Sequence, residues 1–175
     1  MSNAQLVTPQ NIAKMLKQTS HKDQSKDKLK YIENDVKAFL QRNQACQCSI
    51  VDVKFNTAEK MQQVLQIRGK LKINLPQSGS GKLLGFKFIL PKMYPLEAPL
   101  VYLDEPENPQ VIDMIDYLDK GNRIVFEYIL VWEKQQENIF TCISTYNLTN
   151  LLAKVFSLFT KLPPVGFEEL FGGSF

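Results

Sequence analysis

The sequence predicts an α+β fold in which helices lie before and after a four-stranded antiparallel meander. Apolar residues recur at helical spacing in residues 27–42 and 148–159, whereas the segments between them alternate or form short apolar runs bounded by turn residues. Strands joined by short connections pair most simply as antiparallel neighbours. With 175 residues, 44% of them hydrophobic, the chain suits one domain with a single core.

The first two elements are predicted helices. Thr8–Asn11 carries helix start signals, and the short helix that follows ends at Leu16. A longer helix spans residues 27–42, because its apolar residues recur every three or four positions and so share one side. Those residues are Leu29, Ile32, Val36, Phe39 and Leu40.

The N-terminal segment is basic. Residues 1–30 contain six lysines and two acids, whereas the rest of the chain has 15 basic and 16 acidic residues. Because residues 18–28 are polar and read as a linker, we predict that residues 1–26 form a basic, solvated arm. The remaining body is close to neutral, which gives no support for a nucleic-acid partner.

Four strands are predicted between the long helices. Their cores are residues 50–55, 64–75, 83–90 and 100–103, and a β-bulge is expected at Gly69 in the second strand. Residues 76–81 have the composition of a turn. Pro95 and Pro99 fix φ near −65°, so the chain between the third and fourth strands should form a rigid corner.

The second half contains an acidic stretch and a final helix. Residues 104–119 hold six acids and no base, as expected of a solvated loop or of a surface for a cation or a basic partner. In residues 121–132 the apolar residues follow neither helical nor strand spacing. The last helix begins near Leu148 and ends before Pro163. The predicted organisation is therefore an arm (1–26), a domain (27–165) and a tail (166–175).

Composition also bears on the compartment. No apolar run approaches the ~18–20 residues that span a bilayer, and no secretory signal is present, so we expect no direct membrane insertion. An odd number of cysteines, three, indicates reduced thiols in a cytoplasmic compartment. The first 22 residues lack acids, as transit peptides do, but they also lack arginine; organelle import stays an alternative.

Four short motifs resemble chemical sites, and each also has a structural interpretation. Gly79–Lys82 lacks the spacing of a phosphate-binding loop and reads as a turn. Cys46 and Cys48 lack the further ligands that zinc needs, and Cys142 has no neighbouring base that would make it a nucleophile. Asn147 begins a glycosylation sequon inside a predicted helix. No metal and no cofactor are predicted.

Two longer motifs carry a family resemblance. Residues 90–103 contain Tyr-Pro-x-x-x-Pro, which resembles the exit from the third strand of ubiquitin-conjugating enzymes. Residues 121–132 resemble the active-site segment of those enzymes, with Val125 at the position of the catalytic cysteine, and the upstream His-Pro-Asn triplet is missing. Valine cannot form a thioester. The chain is therefore similar to ubiquitin-conjugating-enzyme variant (UEV) domains, closest to the endosomal-sorting branch, and this implies a protein that is not an enzyme.

The resemblance implies a protein-binding adaptor with two kinds of ligand. Asn56 and Tyr102 match positions that contact ubiquitin in the branch, and Pro163, Pro164 and Val165 match one wall of its groove for proline-rich peptides. Gln77 and Lys82 stand where that groove has two tyrosines. The implied location is cytoplasmic and endosome-associated. Two alternatives are a structural accessory subunit of a large assembly and a regulatory partner of an active conjugating enzyme.

Overall fold

The computed structural model describes residues 6–55, 60–74, 81–103, 123–135 and 144–160. They form a six-stranded antiparallel sheet whose strands follow chain order from one edge to the other. The strands are β1 (Leu6–Val7), β2 (Gln47–Val53), β3 (Gln62–Asn74), β4 (Gly81–Ile89), β5 (Leu100–Leu103) and β6 (Arg123–Ile124). The helices are α1 (Ile12–Leu16), α2 (Lys26–Arg42), α3 (Glu127–Gln135) and α4 (Leu148–Thr160), and a 3₁₀ turn (Ser20–Asp23) joins α1 to α2.

The predicted α+β class and antiparallel meander are confirmed, with a two-residue strand added at each edge. The core lies between one face of the sheet and the helices. From α2 it receives Ile32, Val36 and Phe39, all fully buried, as the helical period predicted. No helix among the described residues is long and apolar enough to cross a membrane.

The N-terminal segment belongs to the folded body, so the predicted solvated arm is wrong over residues 6–26. Leu6 pairs with Ser49 and Val7 with Cys48 at the edge of the sheet. The apolar face of α1 is buried, as predicted. The polar residues of the supposed linker include Thr19 and His21, which are also buried. Linker composition misled because the Thr19 hydroxyl is satisfied locally, by the Leu16 carbonyl, and the His21 ring bonds to backbone groups far away in the sequence.

His21 completes the hydrogen-bonding ladder where β4 leaves the sheet. The Leu90 N–H still donates to the Leu65 carbonyl (3.0 Å), but the Leu65 N–H donates instead to His21 Nε2 (3.3 Å). Nε2 is therefore unprotonated, and Nδ1–H donates to the Lys92 carbonyl at 3.2 Å. Burial lowers the pKa of His21 to about 4, although the bond to Lys92 opposes this shift. The imidazole is thus a neutral structural bridge at pH 7.

Gly69 has a packing role in β3 and causes no bulge. The β3–β4 register is continuous through this position, where Gly69 lies opposite Phe86, so the bulge prediction is wrong. A Cβ at residue 69 would lie 2.5 Å from Cys46 Sγ and 2.8 Å from Cζ of Phe86. Glycine is needed here because a ring and a sulfur atom fill the space that a side chain would occupy.

We expect Gly69→Ala to lower the free energy of unfolding by about 1–3 kcal/mol, because the new methyl group displaces the Phe86 ring or the Cys46 side chain. Urea unfolding followed by circular dichroism measures the change. Lys70→Ala, at the next and exposed position of β3, is the control and should stay within about 0.5 kcal/mol of wild type. Equal stability of Gly69→Ala and Lys70→Ala would contradict the packing role.

Candidate functional site

The segment that resembles an active site lies between the end of the sheet and a helix. Ile124 of β6 pairs with Val101 and is fully buried. Val125 follows and is half-buried, and the Phe126 carbonyl then accepts the first bonds of α3 from the N–H groups of Ile129 and Leu130. A thiol placed just before a helix N-terminus would have a lowered pKa. The aliphatic Val125 side chain offers neither nucleophile nor acid there.

The thiols that the structure describes are also unsuited to nucleophilic chemistry. Cys48 is buried in the core, and burial raises its pKa to about 12. Burial also raises the pKa of the half-buried Cys46 thiol. Both stay protonated at pH 7, and thiolate is the reactive form. Cys142 lies outside the described residues. Across those residues, no cluster of His, Cys, Asp and Glu side chains could hold a metal ion.

An aromatic cluster fills the space beside α3. We define it as Tyr94, Tyr128, Trp132 and Tyr146, whose rings pack with centroids 5.4–5.9 Å apart. The Tyr128 hydroxyl donates to the Thr145 carbonyl at 2.5 Å, and the buried Trp132 Nε1–H donates to the Pro95 carbonyl at 2.8 Å. Packed aromatic rings stabilise a protein by more than the burial of their surface area alone. The start of α3 is therefore held by packed rings.

The corner predicted from the proline motif is the meeting point of the helices. We call Pro91–Pro95 the Tyr94 corner; its Tyr94–Pro95 peptide bond is cis. Gln24 Nε2 donates to the Lys92 and Tyr94 carbonyls at 2.7 and 2.8 Å. On the opposite side, the buried Tyr94 hydroxyl donates to Asp35 Oδ2. The Asp35 carboxylate also accepts from the Leu148 N–H, 3.3 Å away at the start of α4.

Asp35 is a half-buried residue whose carboxylate sequence patterning missed. Burial raises its pKa to about 6, and the bonds from Tyr94 and Leu148 oppose the rise. At pH 7 it is therefore ionised and accepts from α4 and from the corner together. The one signal in the sequence was an acid beside Val36, at the border of the apolar stripe of α2. Such a position is usually solvated, and nothing local identifies Tyr94 as its partner.

Of the predicted ubiquitin-contact residues, the structure describes Tyr102. It is half-buried on β5, opposite Lys87 of β4 and Arg123 of β6. Lys87 Nζ lies 5.3 Å from the centroid of the Tyr102 ring, within cation–π range. Asn56, its predicted companion, lies outside the described residues.

The other predicted positions can be placed only in part. The groove residues Pro163, Pro164 and Val165, the position Gln77 and the acidic stretch 104–119 lie outside the described residues. Beyond Trp132, Glu133–Gln135 continues α3. The structure thus places Tyr102 on β5 and Val125 just after β6, at the same edge of the sheet.

Comparisons with known proteins agree with this geometry. A model of the UEV domain family matches residues 15–166. The yeast Vps23 UEV domain in complex with a Vps27 PSDP peptide superposes with a TM-score of 0.61 at 15% identity, covering 91% of this chain and 97% of that one. A complex of the Vps23 UEV with ubiquitin gives 0.52 at 13%, covering 79% and 96%. At such identities these structures show the fold alone. No curated protein matches the sequence significantly.

His21 and Asp35 should oppose each other in the pH dependence of stability. His21 titrates near 6.5 when unfolded and near 4 when folded. Between these values the unfolded state binds more protons, so stability falls as the pH falls. Asp35 titrates near 3.8 when unfolded and near 6 when folded. The folded state then binds more protons, so stability is lost as the pH rises through 6. Each effect is on the order of 3 kcal/mol.

We therefore expect Asp35→Asn to expose the His21 contribution, with stability that falls more steeply than in wild type as the pH falls from about 6.5 to 4.5. His21→Gln should change the slope in the opposite direction, because the Asp35 contribution is then unopposed. Urea unfolding at several pH values measures the three slopes, and the difference from wild type cancels the other carboxylates. Parallel profiles for the three proteins would contradict these assignments.

Proposed function

The chain belongs to the UEV domain family, and from this premise we propose that it is a catalytically inactive adaptor that binds ubiquitin and proline-rich peptides. The observation that carries the proposal is Val125, which stands half-buried before α3 where the family resemblance puts the nucleophile of an active enzyme. A protein that keeps this fold without that thiol retains surfaces for binding and no means of forming a thioester.

The proposed ubiquitin surface includes Asn56 and Tyr102. Tyr102 supports it because an amphipathic ring that is partly exposed at a sheet surface, with a lysine ammonium over one side, suits a small and weak interface. The Vps23 UEV complex with ubiquitin supports the choice of ligand through the shared fold. Within this proposal the protein acts in endosomal sorting, the setting of the branch it resembles.

The proposed peptide surface is formed by Pro163, Pro164 and Val165 beyond the end of α4. The yeast Vps23 UEV domain in complex with a PSDP peptide supports a proline-containing ligand. Gln77 and Lys82 stand at the tyrosine positions of the branch and offer no aromatic ring for stacking. That difference favours a second candidate function, an accessory subunit of a larger assembly that uses the fold for packing.

We expect ubiquitin titrated into the ¹⁵N-labelled chain to shift the amide signals of Asn56 and Tyr102, with a Kd on the order of hundreds of micromolar. Tyr102→Ala should weaken binding several-fold because it removes the contact ring. Leu130→Ala is the matched control, since Leu130 is a 47% exposed apolar residue of α3 outside this surface. Unchanged spectra at about millimolar ubiquitin would favour the accessory-subunit role.

We also expect no ubiquitin thioester when the chain is incubated with activating enzyme, ATP and ubiquitin. Val125 cannot accept ubiquitin, and the Cys46 and Cys48 thiols are protonated at pH 7. Non-reducing gels, with an active conjugating enzyme as positive control, provide the measurement. A thiol-sensitive band that disappears in Cys142→Ala would show that the protein is an enzyme.

A further inference from the structure

The outer side of β1 is one end of the sheet. Leu6 and Val7 pair with Ser49 and Cys48 of β2 on one side, and no strand of the described part of the chain lies on the other. A strand at the end of a sheet presents N–H and C=O groups that another extended chain can pair with, and a short strand presents fewer of them. The groups that β1 still presents need partners.

The side chain of Asn11 supplies those partners. Its Oδ1 accepts a hydrogen bond from the Thr8 N–H at 2.7 Å, and its Nδ2 donates to the Leu6 carbonyl at 3.1 Å. The Asn11 backbone N–H donates to the Thr8 carbonyl at 3.1 Å. A side-chain amide offers the same donor and acceptor as a peptide group. Asn11 therefore takes the place that the backbone of a further strand would take along residues 6–8, which we call the β1 edge.

Asn11 does this in place of its usual role. It is the N-cap residue of α1, and asparagine at that position normally accepts from an N–H group of the first helical turn. The Asn11 side chain makes no such bond to α1, and the first turn of α1 has no acidic residue. Because the helix forgoes a stabilising contact while the strand gains two, the position of the amide favours the β1 edge over the helix.

A cavity suited to an apolar side chain adjoins the β1 edge. Its volume is about 350 Å³, and it lies between β1 and the end of α2. Val7, Leu40 and Cys48, all buried, line it together with the half-buried Cys46 and with Leu6, which is 56% exposed. Glutamines also line it, and none of the described lining residues is charged. The same patch thus has an exposed apolar side chain and an apolar recess, as a self-complementary surface does.

We propose that the β1 edge is an interface for a second copy of this chain, and that the Asn11 amide keeps it closed. Without the amide, β1 of one copy pairs antiparallel with β1 of another about a two-fold axis, and each Leu6 side chain meets the cavity of the other copy. This pairing uses the free edge of both copies, so it ends at a dimer. The proposal holds whether or not the chain binds ubiquitin.

Sedimentation velocity of the full chain over a range of concentrations measures self-association. We expect Asn11→Ala to raise the association constant at least about tenfold over wild type, because the Leu6 carbonyl and the Thr8 N–H lose their partner. Asn11→Gln keeps an amide on a longer side chain and should give a smaller increase. Asn34→Ala removes an exposed amide from α2 and is the matched control. It should stay within about twofold of wild type.

A charge on the edge strand locates the interface. Lysine on an edge strand opposes pairing with another chain, so Leu6→Lys combined with Asn11→Ala should return association to the wild-type level. Circular dichroism checks that each variant is folded. Amide hydrogen exchange at Val7 shows whether β1 is still paired with β2.

Three outcomes would overturn the proposal. An Asn11→Ala protein that stays at the wild-type level of association with Val7 protected would show that the edge is closed without the amide. Loss of protection at Val7 with no gain in association would show that Asn11 only anchors β1 to the sheet. Association that persists with Leu6→Lys, or that continues beyond a dimer, would place the contact on another surface.

Discussion

The arrangement of the helices depends on the Tyr94 corner and on the hydrogen bonds made to it. His21 and Gln24 bond its carbonyls from the N-terminal side, Asp35 of α2 accepts from the Tyr94 hydroxyl, and Trp132 of α3 donates to the Pro95 carbonyl. Where the chain leaves the sheet at a corner, its backbone N–H and C=O groups lose the hydrogen-bond partners that a neighbouring strand would supply. Here each of these bonds also fixes the position of another element, so one set of bonds both satisfies the corner and assembles the domain.

The same corner explains how the fold persists in a chain that has no nucleophile at residue 125. The position of α3 is set by Trp132 and by the rings around it. Asp35 ties α4 to the corner through Leu148, independently of residue 125. The residue at the nucleophile position can therefore change from a thiol to an aliphatic side chain while the frame around it keeps its contacts.

Sequence patterns predicted the elements that a local signal defines, such as apolar residues recurring at helical or strand spacing. The apolar stripe of α2, the alternation of β4 and the proline corner were all local signals, and the structure has them in the predicted places. The N-terminal segment was misjudged because His21 and Gln24 look like linker residues until their partners at Leu65, Lys92 and Tyr94 are known. Asp35 was missed for the same reason: its partners lie 59 and 113 positions away. Polar residues that bond over long sequence distances leave no periodic trace.

The short edge strands limit how another chain can pair with this sheet. The edge strands β1 and β6 have two residues each, which leaves little backbone for a partner to pair with. The inner face is filled by the core, so the outer face is the broad surface of the sheet that remains. Within the proposed ubiquitin surface, contact therefore falls to side chains of the outer face such as Tyr102, whose ring lies beside the Lys87 ammonium, rather than to backbone pairing at a sheet edge.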